Sequence, residues 1–399
     1  MIVATVLWFV AAVLAIPLLI FTAEVVIGLR GLRRVSEPAA CSVAVLIPAH
    51  DEAQGIGATL KAMREIAPPG CRIVVIADNC SDDTAAIARA DCVEVIERSD
   101  AQRRGKGFAL DFGRAYLASN PPDAVIVIDA DCRVRPGSIE RLAAAACRTG
   151  NPAQGVNTLE PDLEAPPLVQ ISTFSFLVKN LFRARGMARW AGVTLLTGTG
   201  MAFPWPLFSK AALATDNIVE DLALGIELTR QGHLTQLVSD AGVTSPSAQR
   251  QDLLQQRARW ERGFLAVAGK QALPLLGHAL RTRSRACCAL GLHLLVPPLA
   301  MLIAVSLAGL GALAGAAALG ASPAPAAALG LALTAAGAAT VAAWLREGRA
   351  TLSARALLIA PGYVFWKIPM YLKFLRRNPG TWLRTPRREL APPDETGAR

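Results

Sequence analysis

The sequence predicts an α/β domain built on a parallel sheet, flanked by hydrophobic helices long enough to enter a membrane. Three observations carry this. Between Ser42 and about Arg250, short apolar runs alternate with amphipathic stretches, the pattern of buried parallel strands covered by helices on both faces. Polar groups cluster where those runs end, at Asp51-Glu52, Asp78-Asn79 and Asp129-Ala-Asp131, on the rim where open sheets of this kind bind ligands. Outside that region, apolar runs reach or exceed the roughly 20 residues that span a bilayer.

In chain order, the first element is the run Ile2 to Gly28, interrupted only by Thr5, Pro17, Thr22 and Glu24, which we read as a transmembrane helix within residues 1–30. A cleaved signal peptide is the alternative; against it, no basic stretch precedes the run, and the run is longer than a signal core. Arg30, Arg33 and Arg34 follow, which places the next segment in the cytoplasm. Strands are expected at Ser42–Pro48, Arg72–Ala77, Val93–Ile96 and Ala124–Ile128, with helices at Gly57–Ile66, Asp82–Ala90 and Leu222–Gln231. Periodicity alone supports a nucleotide-binding α/β domain, set at residues 42–263 with a closing amphipathic helix at 250–263.

Beyond it, an apolar run from Ala286 to Ala321, which Pro297-Pro298 can kink, and a second from Ala324 to Leu345 form a transmembrane hairpin at 286–345. Its turn, Ala321-Ser322-Pro323, is uncharged, whereas Arg281, Arg283, Arg285, Arg346, Arg349 and Arg355 flank its outer ends, so it starts and finishes inside. Residues 354–376 contain Pro361, Lys367 and Pro369 and read as an interfacial helix, with a third C-terminal span as the alternative; a basic cytoplasmic tail fills 377–399.

Composition agrees with a multi-pass protein of the cytoplasmic membrane. Of 399 residues, 53% are hydrophobic, high for a soluble chain. The net charge of +10 suits anionic lipids, nucleic acid or phosphorylated substrates, and the arginines flanking the membrane runs account for it without a nucleic-acid partner. The 8 cysteines form no CxxC pair, and we expect reduced thiols.

Asp129 and Asp131 follow a hydrophobic strand at a bend that lets both side chains approach one point. Two carboxylates, completed by water and a diphosphate, satisfy a hard divalent cation such as Mg²⁺ or Mn²⁺, which would offset charge on a departing nucleoside diphosphate. Asp pairs are also common in turns. Glu220-Asp221 opens a helix, so its charges suit the helix dipole; equally, Asp221 suits a general base that takes a proton from an acceptor hydroxyl. Gln255-Gln256-Arg257-Ala258-Arg259-Trp260 can be a basic helix on anionic lipid, yet Arg259 fits phosphate and Trp260 offers a face for a sugar ring. Arg103-Arg104-Gly105-Lys106-Gly107 combines cations with glycines that could meet a diphosphate.

The ordered set Val45–Glu52, Ala77–Thr84, Gly105-Lys106-Gly107, Asp129-Ala-Asp131, Gly198-Thr-Gly200, Glu220-Asp221 and Gln256–Trp260 resembles membrane-bound family 2 glycosyltransferases, relatives of cellulose, chitin-oligosaccharide and hyaluronan synthases and of ceramide glucosyltransferase. The resemblance covers roughly Ser42 to Gly263. It implies a Rossmann-like nucleotide-diphospho-sugar transferase domain of GT-A type and inverting transfer. It assigns donor contacts to Glu52, Asp78, Lys106, Asp129 and Arg259, the metal to Asp131 with Asp129, catalysis to Asp221 with Glu220, and the acceptor side to Gln256, Trp260 and Gly198. Implied partners are a nucleotide sugar (UDP-linked first, GDP-linked second), membrane lipid and a lipid-linked or glycan acceptor. Val219 replaces the small hydroxylated residue that many synthases carry before Glu-Asp, and the C-terminal membrane part is small for a polymer channel. A single-transfer enzyme of exopolysaccharide or glycolipid assembly is therefore the leading expectation. A processive synthase is the second, and a non-catalytic membrane scaffold or sugar-binding protein is the alternative from another class.

Overall fold

The computed structural model describes residues 1–32, 41–215, 219–246, 250–360, 362, 367 and 371, with the side chains of 250–256 outside that description. Its strands are β1 (Val43–Ala49), β2 (Arg72–Asp78), β3 (Glu94–Arg98), β4 (Ala124–Val127), β5 (Arg133–Val134), β6 (Ala153–Leu159), β7 (Met201–Pro204) and β8 (Gln236–Ser245). They form one sheet in the order β3-β2-β1-β4-β7-β6-β8-β5. The expected parallel core is the β3-β2-β1-β4 half; β7 runs antiparallel to both β4 and β6, and β5 antiparallel to β8, so the whole sheet is mixed.

Alternation along each central strand divides the core into two layers. Val43, Val45, Ile47 and Ala49 face one layer with Ile73, Val75 and Ile126, while Ala44 and Leu46 face the other with Val74, Ile76 and Val125. Ile56, Leu60 and Met63, spaced at helical intervals on Ile56–Ile66, cover the first layer beside the helix Ser138–Thr149. Ala109, Leu110 and Leu117 of the helix Lys106–Leu117 cover the second. Leu46 is fully buried, and its truncation to alanine would cost about 2–5 kcal/mol.

Among the described residues, three helices are long and apolar enough to cross a membrane: Ile2–Gly28, Leu299–Ala318 and Ala324–Gly348. The hairpin begins later than the hydropathy suggests. Arg285–Leu294 is a separate helix, and the chain resumes helix only at Leu299, because Pro297-Pro298 removes two backbone donors and restricts the residue before each ring. Cys287, Leu290 and Leu294 of this short helix pack on Phe264, Val267 and Leu275 of the long helix Arg250–Thr282, which extends well past the expected end at 263. Residues 354–360 belong to a helical stretch; the rest of the expected interfacial helix and the tail 377–399 lie outside the described residues, apart from 362, 367 and 371.

The helix Ile2–Gly28 crosses Ala184–Ala191 closely because both carry glycine at the contact. A Cβ at Gly28 would sit 1.8 Å from the Phe182 carbonyl oxygen, and one at Gly186 2.1 Å from that of Glu24. At the same crossing the Glu24 carboxylate accepts from Arg183 Nε and meets His293 Nδ1 at 2.9 Å, joining three separate helical segments.

Candidate functional site

The end of β4, the start of the helix Lys106–Leu117, the Gly198-Thr-Gly200 loop and the start of the helix Glu220–Arg230 meet at one point on the sheet rim. Lys106, placed at the first turn of its helix rather than in a loose loop, donates from Nζ to Asp129 Oδ1 and to the Gly198 carbonyl oxygen. Gly198 has φ +85°, and a Cβ there would lie 3.3 Å from Asp221 Oδ2 and 3.7 Å from Lys106 Nζ. Only glycine leaves that approach unstrained.

The loop is strapped from below. Thr199 Oγ1 accepts from the Asp129 backbone N–H, and the Gly200 N–H donates to the Val127 carbonyl. Gln154 Nε2 donates to the carbonyls of Gly155 and Thr199, while its Oε1 accepts from the Thr197 N–H. Reading the sequence missed Gln154; an amide near the start of a mostly buried strand was the available signal.

Negative charge is in excess here, and burial sharpens its effect. Burial alone would lower the Lys106 pKa, but Asp129, Glu220 and Asp221 outweigh it and push that pKa up to about 12. Burial, then the adjacent Asp221, pushes Glu220 up to about 7. Burial also raises Asp221, against the Leu222 N–H, Lys106 and Lys179, which favour its charged form. The Leu222 N–H at the helix start favours the charged form of this carboxylate, in line with the dipole reading of Glu220-Asp221. Arg259 is lowered by burial and supported by Glu220, which brings it into the electrostatic reach of the cluster.

Asp129, Asp131 and Cys132 offer ligand atoms within 4.8 Å of one another. Burial, followed by the mutual repulsion with Asp129, raises Asp131, so the pair gains from a nearby cation. Burial and the two carboxylates hold the Cys132 thiol protonated, leaving an all-oxygen donor set that fits Mg²⁺ or Mn²⁺ better than a thiophilic metal.

The remaining expected residues form two further groups. Asp78 is buried, its Oδ1 accepting from Arg98 at 2.6 Å and from Asn79 Nδ2, and the Glu52 N–H donates to Thr84 Oγ1. Trp260 packs on Phe176 at 6.0 Å between ring centroids, with the Arg257 guanidinium 5.3 Å from its ring centre, so part of its face is already engaged. Gln256 lies outside the described side chains.

The family described as glycosyltransferase like family 2 matches residues 38–263. The chain belongs to that family. All the polar groups above except His293 and the membrane helices fall within the matched segment. This family 2 chain is 27% identical over 235 residues to the probable glycosyltransferase YdaM of Bacillus subtilis, covering 55% of this chain and 54% of that protein. It is 34% identical over 103 residues to the uncharacterized glycosyltransferase Rv0539 of Mycobacterium tuberculosis, covering 26% and 43%. It thus spans about half the length of these curated relatives. In fold it is similar to the mannosyltransferase PcManGT from Pyrobaculum calidifontis, solved in complex with GDP-Man and Mn²⁺, with a TM-score of 0.54 at 17% identity over 92% of this chain and 95% of that one.

Proposed function

We propose that the chain is an inverting glycosyltransferase that moves a sugar from a nucleotide diphosphate donor to a lipid-linked or membrane-presented acceptor. The observation that carries this reading is the cluster at the sheet rim, where Asp129, Glu220 and Asp221 surround Lys106 beside Asp131. So many carboxylates against one ammonium leave room for the positive charge that a donor's diphosphate requires.

In this reading Asp131, helped by Asp129, would hold Mg²⁺ or Mn²⁺. A bound divalent cation supplies Lewis-acid stabilisation of the leaving diphosphate. Asp78 accepts from the base, Glu52 and Lys106 line the nucleotide, and Arg259 meets the diphosphate. Gly198, Trp260 and Gln256 border the acceptor. The acceptor hydroxyl oxygen bonds to the anomeric carbon from the face opposite the diphosphate, and its proton passes to Asp221, with Glu220 shaping that carboxylate's charge. The bond from the anomeric carbon to the diphosphate oxygen breaks, and its electron pair leaves on the nucleoside diphosphate. The multi-pass arrangement in the cytoplasmic membrane, with the domain 42–263 on the cytoplasmic face, rests on the arginines that flank the apolar runs.

The purified protein is incubated with a radiolabelled UDP-sugar, or a GDP-sugar as second donor, together with membrane lipids. We expect product that migrates with lipid, lost with chelator and restored by Mg²⁺ or Mn²⁺. Asp131→Asn and Asp221→Asn should each reduce transfer by about 10²–10⁴-fold while membrane insertion is kept. Full activity in either variant, or turnover without metal, would sink the assignment.

A further inference from the structure

Lys179 lies on the π-helical turn Val178–Arg183 that continues the helix Pro167–Leu177. Its ammonium sits 5.6 Å over the Phe264 ring and, among the described residues, has no hydrogen-bonded or ion-paired anion. Other cations of the molecule differ: Arg183 takes Glu24, Lys106 takes Asp129 and Lys367 takes Glu261. Lys179 is half-buried, so its ammonium gives up part of its hydration with no anion in return, which is a cost.

The surroundings sharpen the point. Asp221 and Glu261 attract Lys179, whereas Arg183 and Arg257 repel it; burial brings its pKa down to about 8, which still leaves it largely charged at neutral pH. Beside it is a small cavity lined by Asn157, Thr197 and His293 among others, in which Asn157 Oδ1, Thr197 Oγ1 and His293 Nε2 are buried without partners. Polar atoms left unmatched around one space call for water or a ligand's polar groups. The wall on the other side is aromatic and cationic, made of Phe176, Arg257, Trp260 and Phe264. The π-helical turn that carries Lys179 packs on Ile2–Gly28, with Arg183 over the Phe21 ring and Gly28 against the Phe182 backbone, so this wall adjoins a helix able to cross the membrane.

We propose that Lys179 receives a phosphate-type oxygen of the acceptor next to Asp221, and so selects acceptors that carry phosphate close to the attacking hydroxyl. The inference rests on the reading of Asp221 as the acceptor-side base. Phosphate follows from the chemistry: an anion arriving from a bilayer is most commonly a phosphoryl headgroup, and the adjoining arginine and the Thr197 hydroxyl can share its several oxygens.

The test measures binding to the full chain in neutral detergent of hexadecyl phosphate, hexadecanol and inorganic phosphate. Hexadecyl phosphate should bind about tenfold or more tightly than hexadecanol, the worth of one hydrogen bond to a charged group. Lys179→Met should abolish that preference and Lys179→Arg should keep most of it. If the methionine variant does not fold, the arginine variant and the wild-type preference still decide. Equal binding of phosphate and alcohol by the wild type, or an undiminished preference in Lys179→Met, would overturn the proposal. Inorganic phosphate should compete only weakly; binding as tight as that of hexadecyl phosphate would overturn the membrane source in favour of a soluble phosphoryl compound. Wild-type binding of UDP with Mn²⁺, measured alongside, separates a failure of the donor reading from a failure of the anion seat.

Discussion

Two buried charge clusters in this molecule differ in how they are balanced. At the helix crossing, Glu24 is matched by Arg183 and His293, each from a different segment, so that both carboxylate oxygens are engaged. At the sheet rim, Asp129, Asp131, Glu220 and Asp221 outnumber Lys106, and burial, added to by their mutual repulsion, raises the pKa values of Asp131, Glu220 and Asp221. A balanced buried cluster works as a joint, because removing either partner strands the other. An unbalanced one is a seat for charge that arrives with a substrate or ion, since folding gains nothing by assembling like charges.

Breaking the rim should therefore cost chemistry, and breaking the joint should cost stability. The largest effect is the loss of transfer expected for Asp221→Asn, about 10²–10⁴-fold, with the thermal midpoint in detergent unchanged or raised. At the joint, Arg183→Met should lower stability by about 3–5 kcal/mol, read by denaturation in detergent, and the double variant Glu24→Leu with Arg183→Met should recover much of it. A double variant no more stable than the single one would mean that the pair is not a unit.

Next in size is the glycine contact beside the joint. Gly186→Val has to push a side chain into the Glu24 carbonyl, where even a Cβ has only 2.1 Å, and should cost about 1–3 kcal/mol. A stability equal to wild type would show that the two helices separate freely.

The rim was legible in the sequence to the extent that it lies at strand ends. β1, β2 and β4 announced themselves by buried β-branched and aliphatic runs, and Asp78 and Asp129 stand at or just beyond two of those ends. The meeting of Asp129 with Asp221 was reached through the family resemblance, because no local pattern links residues 92 positions apart. The antiparallel strand β7 is short and follows a long non-repetitive stretch, so periodicity had little to register. Lys179 escaped notice because it and Arg183 sit in one short turn between two helices, where no motif singles out either cation. Glu24 was visible as a charge inside a membrane-length run, and such a residue asks for a partner; its partner lies 159 positions away.

The smallest effect is also the sharpest contrast, since one chemical change should have opposite signs in the two clusters. Glu24→Gln weakens the joint and should destabilise the fold. Glu220 has its pKa raised from 4.5 to about 7, by burial and then by Asp221. The folded state therefore holds that proton more tightly than the unfolded chain does, and stability falls as pH rises from about 4.5 to about 7. Glu220→Gln removes the ionisation and should stabilise the protein at pH 8 by on the order of 1–2 kcal/mol. The gain should fade toward pH 5, where the wild-type carboxyl is itself mostly protonated. Thermal unfolding at both pH values reads the difference directly. A Glu220→Gln variant less stable than wild type at pH 8 would mean that the rim carboxylates are matched as fully as Glu24, and the distinction between joint and seat would fall.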